Sequence, residues 1–251
     1  MERKESSSKM LVRAFHGVGL SIYLLLGYYF QKHLKVPDGV QLTVPDPAKE
    51  PWQYLTIWNV VFQEVYFVLC VVEDALEFTQ PKALRDLKAL IKKMRMFFFE
   101  SVFFPTGVTV FTLFWPMFLT NRSIIYPVDL DLVVPRWMNH VIHTNILVLI
   151  ILEVILCPHD YSPRSESFPR MCVVPVSYII CLLTTNAIRG TWPYPLLGMI
   201  GHLGRFLFFA FSFLVVWLSS LAGERINAKL WGESSNSQVA QQKDREQIKI
   251  H

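Results

Sequence analysis

Six runs of about twenty mostly apolar residues, separated by short polar segments, constrain this chain more than any other feature of its sequence. A helix needs roughly twenty apolar residues to cross the ~30 Å hydrocarbon core of a bilayer, because each residue adds only about 1.5 Å. We therefore predict an all-α, polytopic membrane protein built as a six-transmembrane-helix bundle. The runs cover about residues 11–30, 53–73, 96–119, 137–157, 171–189 and 203–224.

The composition favours a chain that folds in lipid rather than in water. Of the 251 residues, 52% are apolar and only 18% are charged. The net charge of +4 is spread over several loops, which argues against a nucleic-acid partner. We interpret the four cysteines as buried apolar side chains rather than as a disulfide framework, because all of them lie in or beside apolar runs: Cys70, Cys157, Cys172 and Cys181.

Loop charge predicts how the bundle is oriented. With six crossings both termini lie on one side, and that side carries 17 of the 24 Lys and Arg residues. The positive-inside rule then places both termini in the cytosol. We interpret the basic stretch from Lys82 to Arg95 as a solvated cytosolic loop lying on anionic lipid. Residues 1–230 form the predicted transmembrane domain, and residues 231–251 a disordered cytosolic tail.

Polar residues that persist inside apolar runs mark a predicted functional region. Thr56, Asn59 and Gln63 are spaced i, i+3, i+7 and share one face of the second helix. Asn139 and His143 are four residues apart and share one face of the fourth helix. Both helices start at the exoplasmic side in the predicted topology, which places Thr56 and His143 some 5–10 Å below that interface. The fifth and sixth helices bring Trp192 and Arg205 to the same side.

Two chemistries suit this arrangement. In the first, the Thr56 hydroxyl attacks an ester carbonyl while neutral His143 accepts its proton. In the second, His140 and His143 bind a metal ion together with His202 or Asp131, although a single H-x-x-H pair offers few ligands. The structural alternative also stands, because a threonine in a membrane helix commonly bonds its own i−4 carbonyl or packs a helix interface.

An ordered set of motifs over most of residues 50–232 resembles the androgen-induced protein / androgen-dependent TFPI-regulating protein family of membrane hydrolases. The motifs are Tyr54-Leu55-Thr56 through Phe67, Phe104-Pro105 through Trp115, Asn121-Arg122-Ser123-Ile124-Ile125-Tyr126-Pro127, Asn139-His140-x-x-His143-Thr144, Pro158-His159-x-Tyr161, Gly190-Thr191-Trp192-Pro193-Tyr194-Pro195 and Gly223-Glu224.

The resemblance implies a specific reaction. Members of this family are threonine hydrolases of fatty acid esters of hydroxy fatty acids (FAHFAs), cleaved to a fatty acid and a hydroxy fatty acid. The catalytic threonine opening the second helix corresponds to Thr56, and the second histidine of the N-H-x-x-H motif corresponds to His143. Asn139, Trp192 and Arg205 are candidate substrate-binding residues. No cofactor or metal is expected to be required.

The expected partners are the lipid substrate and the surrounding membrane lipids, in the plasma membrane or the endoplasmic reticulum. The alternatives are a non-enzymatic membrane regulatory protein, which would act through its loops, and a metal-dependent lipid enzyme. A transporter is disfavoured, because it should carry polar residues through the midplane, whereas here they gather at one face.

Overall fold

The chain folds into a bundle of long helices, as seen in a computed structural model that describes residues 2–79 and 82–232. No strand occurs among these residues. Helices suit such a sequence because each satisfies its own backbone hydrogen bonds without water. They are α1 (Glu2–His33), α2 (Leu55–Thr79), α3 (Arg85–Phe98), α4 (Phe104–Asn121), α5 (Arg136–His143), α6 (Asn145–Leu156), α7 (Arg164–Arg189), α8 (Pro195–Met199) and α9 (His202–Trp231).

Six continuous helical units in the described residues are long and apolar enough to cross a membrane. The prediction of an all-α bundle with six crossings is confirmed, and the chain is a multi-pass membrane protein. The units generally extend beyond the predicted apolar runs, because a helix continues into the interfacial region where polar side chains reach water. They span Ser8–His33, Leu55–Thr79, Arg85–Ile124, Arg136–Leu156, Arg164–Arg189 and His202–Trp231.

The third crossing corrects the interpretation of Lys82 to Arg95 as a solvated loop. The chain is α-helical from Arg85, and Arg95 is buried with its Nε 2.6 Å from Glu73 Oε2. The basic residues precede the apolar run without any break in helical structure, so α3 simply carries the charge on its exposed faces. A charged residue at the start of the buried segment then persists because a carboxylate of α2 pairs with it.

A π-helical segment, Phe99–Phe103, joins α3 to α4 without interrupting the crossing. Pro105 follows it, and because proline has no N–H, the carbonyl of Ser101 loses its usual i+4 donor. The wider turn accommodates this, with the N–H of Phe104 donating to the carbonyl of Phe99. The aromatic side chains of this segment therefore point into the core rather than along a regular helical stripe.

The core lies around α4, which contacts α2, α5, α6 and α9. An aromatic cluster fills the contact between α2 and the π-helical segment, and α1 packs on the outside of α2. The outer surface is apolar, as expected of helices that face lipid: Leu25, Ile188 and Phe206 are all more than 60% exposed. The clustered rings are Tyr66, Phe67, Phe99 and Phe103.

The predicted tail, residues 231–251, is largely beyond what the structure describes. Trp231 still belongs to α9, and its indole N–H donates to the carbonyl of Val154 at 2.9 Å. Residues 233–251 lie outside the described residues. The division at residue 230 therefore remains a prediction.

Candidate active site

Thr56 lies in the first turn of α2, at the end of the bundle where α5 also begins. A short 3-10 turn, Pro51–Gln53, leads into this helix. The N–H groups of a first helical turn have no intrahelical acceptor, so the N–H of Thr56 is available at the positive end of the helix dipole. The Thr56 hydroxyl therefore lies beside a backbone donor.

His143 is the direct partner of Thr56. The Oγ1 of Thr56 lies 3.2 Å from the Nε2 of His143, although 87 residues separate them in sequence. His143 occupies the last turn of α5 and is only 4% exposed. The two residues that the sequence analysis singled out are therefore brought into hydrogen-bonding distance by the packing of α2 against α5.

Asn139 fixes which nitrogen of His143 faces the threonine. The Nδ1 of His143 is 3.1 Å from the backbone carbonyl of Asn139 and 2.8 Å from its side-chain Oδ1. A carbonyl only accepts hydrogen bonds, so Nδ1 carries the proton, and in the neutral ring Nε2 is left with a free lone pair. The arrangement is a hydroxyl, a base and a group that orients the base, in that order.

The ring of His143 is also held from the side. It stacks on Phe114 of α4, with ring centroids 3.5 Å apart and an interplanar angle of 10°. Phe114 is buried, so the imidazole has little freedom to rotate away from Thr56. Three helices thus position one base.

Two tyrosines close the other side of Thr56. The hydroxyl of Tyr194 accepts a hydrogen bond from the N–H of Leu55 at 3.2 Å and neighbours the side chain of Thr56. Tyr178 donates to the carbonyl of Gln53 at 2.8 Å and lies 3.2 Å from the Tyr194 hydroxyl. Burial raises the pKa of Tyr194, so this phenol remains a proton donor at neutral pH.

Thr56 and His143 both line a large cavity in the bundle. It contains about 1300 Å³ of space between atoms, including its open mouth. Side chains from α2, α4, α5, α7 and α9 surround it, and most are aliphatic or aromatic. Cavities lined mainly by apolar side chains with a smaller number of polar groups are typical of ligand-binding sites. Its polar lining is mainly Thr56, His143, Thr106, Thr109, Ser212 and the tyrosines Tyr54, Tyr126, Tyr178 and Tyr194.

The remaining predicted site residues, Asn139, Trp192 and Arg205, do not line the cavity. Asn139 contacts His143 and is not among the residues that line the cavity. Arg205 donates to the carbonyl of Leu197 at 2.7 Å and lies over the ring of Trp192, with 4.8 Å between the guanidinium carbon and the ring centroid. Neither Arg205 nor Trp192 is among the described residues that line the cavity. Their role in substrate binding stays a prediction.

Most of the residues proposed as metal ligands contact other protein groups. Asp131 pairs with Arg122 at 2.8 Å, and His140 Nδ1 lies 3.1 Å from the hydroxyl of Thr144. Both ring nitrogens of His143 face protein partners, and His202 is exposed at the start of α9.

Sequence reasoning missed Phe114 and Tyr194. Tyr194 stood within the Gly190-to-Pro195 block on which the resemblance rested, next to the selected Trp192, and a tyrosine between two prolines was the available signal. The sequence does not distinguish Phe114 from other phenylalanines in its apolar run. A phenylalanine there can face lipid or pack on a histidine without any difference in the sequence pattern.

Fold and site together define a multi-pass membrane protein with a buried threonine–histidine pair at one end of its helical bundle. The chain belongs to the FAR-17a/AIG1-like protein family, whose family model matches residues 12–228. The match runs from the first crossing into the sixth, so the family resemblance drawn from the motifs is confirmed.

Individual relatives agree with this assignment. The human androgen-dependent TFPI-regulating protein is 33% identical over 219 residues, which is 87% of this chain and 93% of the relative. Its rat counterpart is 32% identical over 87% of this chain and 92% of the relative. The human androgen-induced gene 1 protein is 31% identical over 79% of this chain and 84% of the relative. No solved structure matches the chain significantly.

Proposed function

We propose that this protein is an intramembrane threonine hydrolase that cleaves FAHFAs to a fatty acid and a hydroxy fatty acid. The observation that carries the proposal is the chain of contacts from Thr56 Oγ1 to His143 Nε2 and from His143 Nδ1 to Asn139, set in the wall of an apolar cavity. A hydroxyl becomes an effective nucleophile only when a base lies within hydrogen-bonding distance, and this contact supplies one.

In the first half-reaction, Thr56 Oγ1 attacks the carbonyl carbon of the ester while His143 Nε2 takes the hydroxyl proton. The new C–O bond forms a tetrahedral intermediate whose negative oxygen needs donors. The N–H of Thr56 and the phenol of Tyr194 are nearby groups of that kind. The intermediate then breaks its bond to the hydroxy fatty acid oxygen, which takes the proton from His143. An acyl ester on Thr56 remains.

In the second half-reaction, water attacks the acyl-threonine with His143 again accepting a proton. Collapse of this second intermediate breaks the bond to Thr56 Oγ1, which recovers its proton from His143. The fatty acid leaves, and the enzyme returns to its starting state with no net change. Asn139 keeps the ring oriented through both steps, because its acceptors hold the proton on Nδ1.

The cavity supports a lipid ester as the substrate class. Thr56 and His143 lie at the start of α2 and at the end of α5, while α4, α7 and α9 contribute mainly apolar side chains such as Val110, Val174 and Phe209. An ester with two long hydrocarbon arms can bury both arms and place its carbonyl against Thr56. A short polar ester would leave most of this apolar wall without contacts, so we expect it to be a poor substrate.

The decisive experiment compares wild type with Thr56→Ala and His143→Ala on a FAHFA panel. Both variants should lose at least about a hundredfold in hydrolysis, because each removes a group that acts in bond making. Thr56→Ser is the matched control and should retain activity, since it keeps the hydroxyl. Elution profile and thermal unfolding in detergent must match wild type for the comparison to count. Turnover by the alanine variants at the wild-type rate would exclude the mechanism.

A covalent probe gives a second, independent test. A lipid-like fluorophosphonate should form a bond to Thr56 Oγ1 in wild type and in Thr56→Ser, and peptide mapping should place the label on residue 56. The His143→Ala variant should be labelled far more slowly. Labelling of another residue, or labelling that persists in Thr56→Ala, would exclude Thr56 as the nucleophile, and no labelling at all would favour the non-enzymatic regulatory alternative.

A further inference from the structure

A second group of buried polar side chains lies far from Thr56, along α2 toward its other end. Cys70 is fourteen residues beyond Thr56, or about 21 Å along the helix axis. His16 of α1, Glu153 of α6 and Cys157 just after α6 surround it. All four are at most 5% exposed, although two of them carry ionisable groups that are costly to bury. The hydrolysis mechanism uses none of these side chains.

Donor atoms of Cys70, Glu153 and Cys157 lie around the imidazole of His16. The Nε2 of His16 is 3.2 Å from the Oε2 of Glu153 and 3.8 Å from the Sγ of Cys157. The ligand atoms of His16, Cys70 and Glu153 all lie within 4.8 Å of one another. Around a tetrahedral zinc ion with bonds of about 2.0–2.3 Å, neighbouring ligand atoms are roughly 3.3–3.8 Å apart. The ligand atoms of His16, Cys70 and Glu153 would therefore move inward to reach zinc-binding distances, with Cys157 as the fourth ligand.

The surrounding residues hold the ligands as they do at established metal sites. The Nδ1 of His16 donates to Asp74 Oδ2 at 2.7 Å, which directs Nε2 toward the two cysteines. A carboxylate on the far nitrogen of a ligating histidine is the usual supporting contact at zinc sites. The Oε1 of Glu153 accepts from the Tyr66 hydroxyl at 2.6 Å and is 3.5 Å from Arg95, so Oε2 faces the centre.

We propose that His16, Cys70, Glu153 and Cys157 form a structural zinc site that fastens the first helix to the bundle. One imidazole, one carboxylate and two thiolates are a borderline-soft set that suits zinc and excludes calcium and magnesium, which take oxygen ligands. Four protein ligands leave no open coordination position, so the ion has a structural role and takes no part in ester cleavage.

The proposed zinc site gives a reason for the position of α1 against α2 and α6. Its ligands come from positions 16, 70, 153 and 157, so one ion joins three separate parts of the sequence. Three carboxylates, Glu153, Asp74 and Glu73, pair with His16 and Arg95, and this acidic environment favours a bound cation. Without an ion, His16 must carry protons on both nitrogens to satisfy two carboxylates, and a doubly protonated imidazole has no lone pair for a metal.

Metal analysis of the purified wild-type protein tests the proposal. Cells are grown with added zinc, the full chain is purified in detergent without chelator, and metals are measured by plasma mass spectrometry. We expect about one zinc per chain, as for a closed four-ligand site. The double variant Cys172→Ser/Cys181→Ser is the matched control, because those cysteines are half-buried in α7 and outside the group, and it should keep its zinc. Cys70→Ser and Cys157→Ser should each lose most of it.

Cobalt(II) provides a readout that does not depend on the variants folding. Wild type stripped of metal and given Co²⁺ should develop the strong visible bands of a tetrahedral site and a thiolate-to-cobalt charge-transfer band. Wild type that carries no zinc after growth in zinc and develops no such bands would overturn the proposal. Retention of full zinc by Cys70→Ser would overturn it equally. Neither result bears on Thr56, so failure here is distinguishable from failure of the proposed hydrolysis.

Discussion

Asn139 holds His143 through two acceptors on one residue, the side-chain Oδ1 at 2.8 Å and the backbone carbonyl at 3.1 Å. The spacing of four residues makes this possible, because i and i+4 lie one above the other on a helix. A regular turn of α5 therefore orients His143 through Asn139, and Phe114 of α4 holds the ring from the side. Thr56 then needs only the packing of α2 against α5.

The double contact predicts a graded effect of removing the Asn139 side chain. In Asn139→Ala the backbone carbonyl still accepts from Nδ1, so the correct tautomer persists while the ring is held less firmly. We expect kcat to fall by about 10- to 100-fold, less than in His143→Ala, with KM little changed. Steady-state kinetics on one FAHFA measures both constants.

Asn139→Asp is the matched variant for this prediction, because it keeps an acceptor at the same position. Its activity should stay well above that of Asn139→Ala. An alanine variant as active as wild type would mean that the backbone carbonyl alone orients the base, and that the side chain has no part in catalysis.

Tyr194→Phe should lower kcat, because it removes a hydroxyl next to Thr56 on the side away from His143. The change removes a buried hydroxyl that accepts from the N–H of Leu55, and leaving such a donor without a partner costs about 1–3 kcal/mol. We expect a loss of roughly tenfold or more in kcat, with the protein still folded. Tyr28→Phe is the control, because Tyr28 is exposed on α1. This variant should hydrolyse FAHFAs at the wild-type rate. Equal kinetics for the two variants would remove Tyr194 from the mechanism.

The sequence predicted the parts of the fold that follow from the lipid environment, namely the number and approximate positions of the membrane-spanning helices. Long apolar runs require helices in lipid whatever their neighbours are, so the six crossings followed directly from the chain. Helix rise, which converts residue number into distance from the interface, also predicted a similar depth for Thr56 and His143, and their side chains are in contact. Topology alone thus brought two residues 87 positions apart to one level of the membrane.

Contacts around the helix axes could not be predicted in the same way. Hydrophobic periodicity is weak when one face packs on protein and the other on lipid, since both are apolar. The stacking of Phe114 on His143 and the burial of Arg95 against Glu73 depend on how helices rotate against each other. The approach of Cys70 to His16 depends on this too, so the sequence indicates only apolar surroundings for the cysteines.

A close helix contact gives a prediction about stability. A Cβ on Gly19 of α1 would lie 2.5 Å from the ring of Phe67, which is fully buried in α2. Gly19→Ala should therefore force α1 away from α2 and destabilise the protein by about 1–3 kcal/mol. Thermal unfolding in detergent measures the change.

Gly17→Ala is the matched control for this contact, two residues earlier in the same helix. Nothing lies within 4 Å of a Cβ at that position. Because alanine favours helices over glycine by about 0.5–1 kcal/mol, this variant should be as stable as wild type or slightly more so. Equal unfolding temperatures for the two variants would show that α1 adjusts freely against α2.

Orientation in the membrane is the last prediction, and it decides which compartment supplies the substrate. The loops between α1 and α2 and between α7 and α9 lie at the same end of the bundle as Thr56, and the positive-inside rule places that end away from the cytosol. A glycosylation acceptor inserted after Gly39, an open position with positive φ, should be glycosylated in cells. The same acceptor appended after residue 251 should remain unmodified. The reverse pattern would place Thr56 on the cytosolic side, so the ester would then reach the site from the cytosolic leaflet.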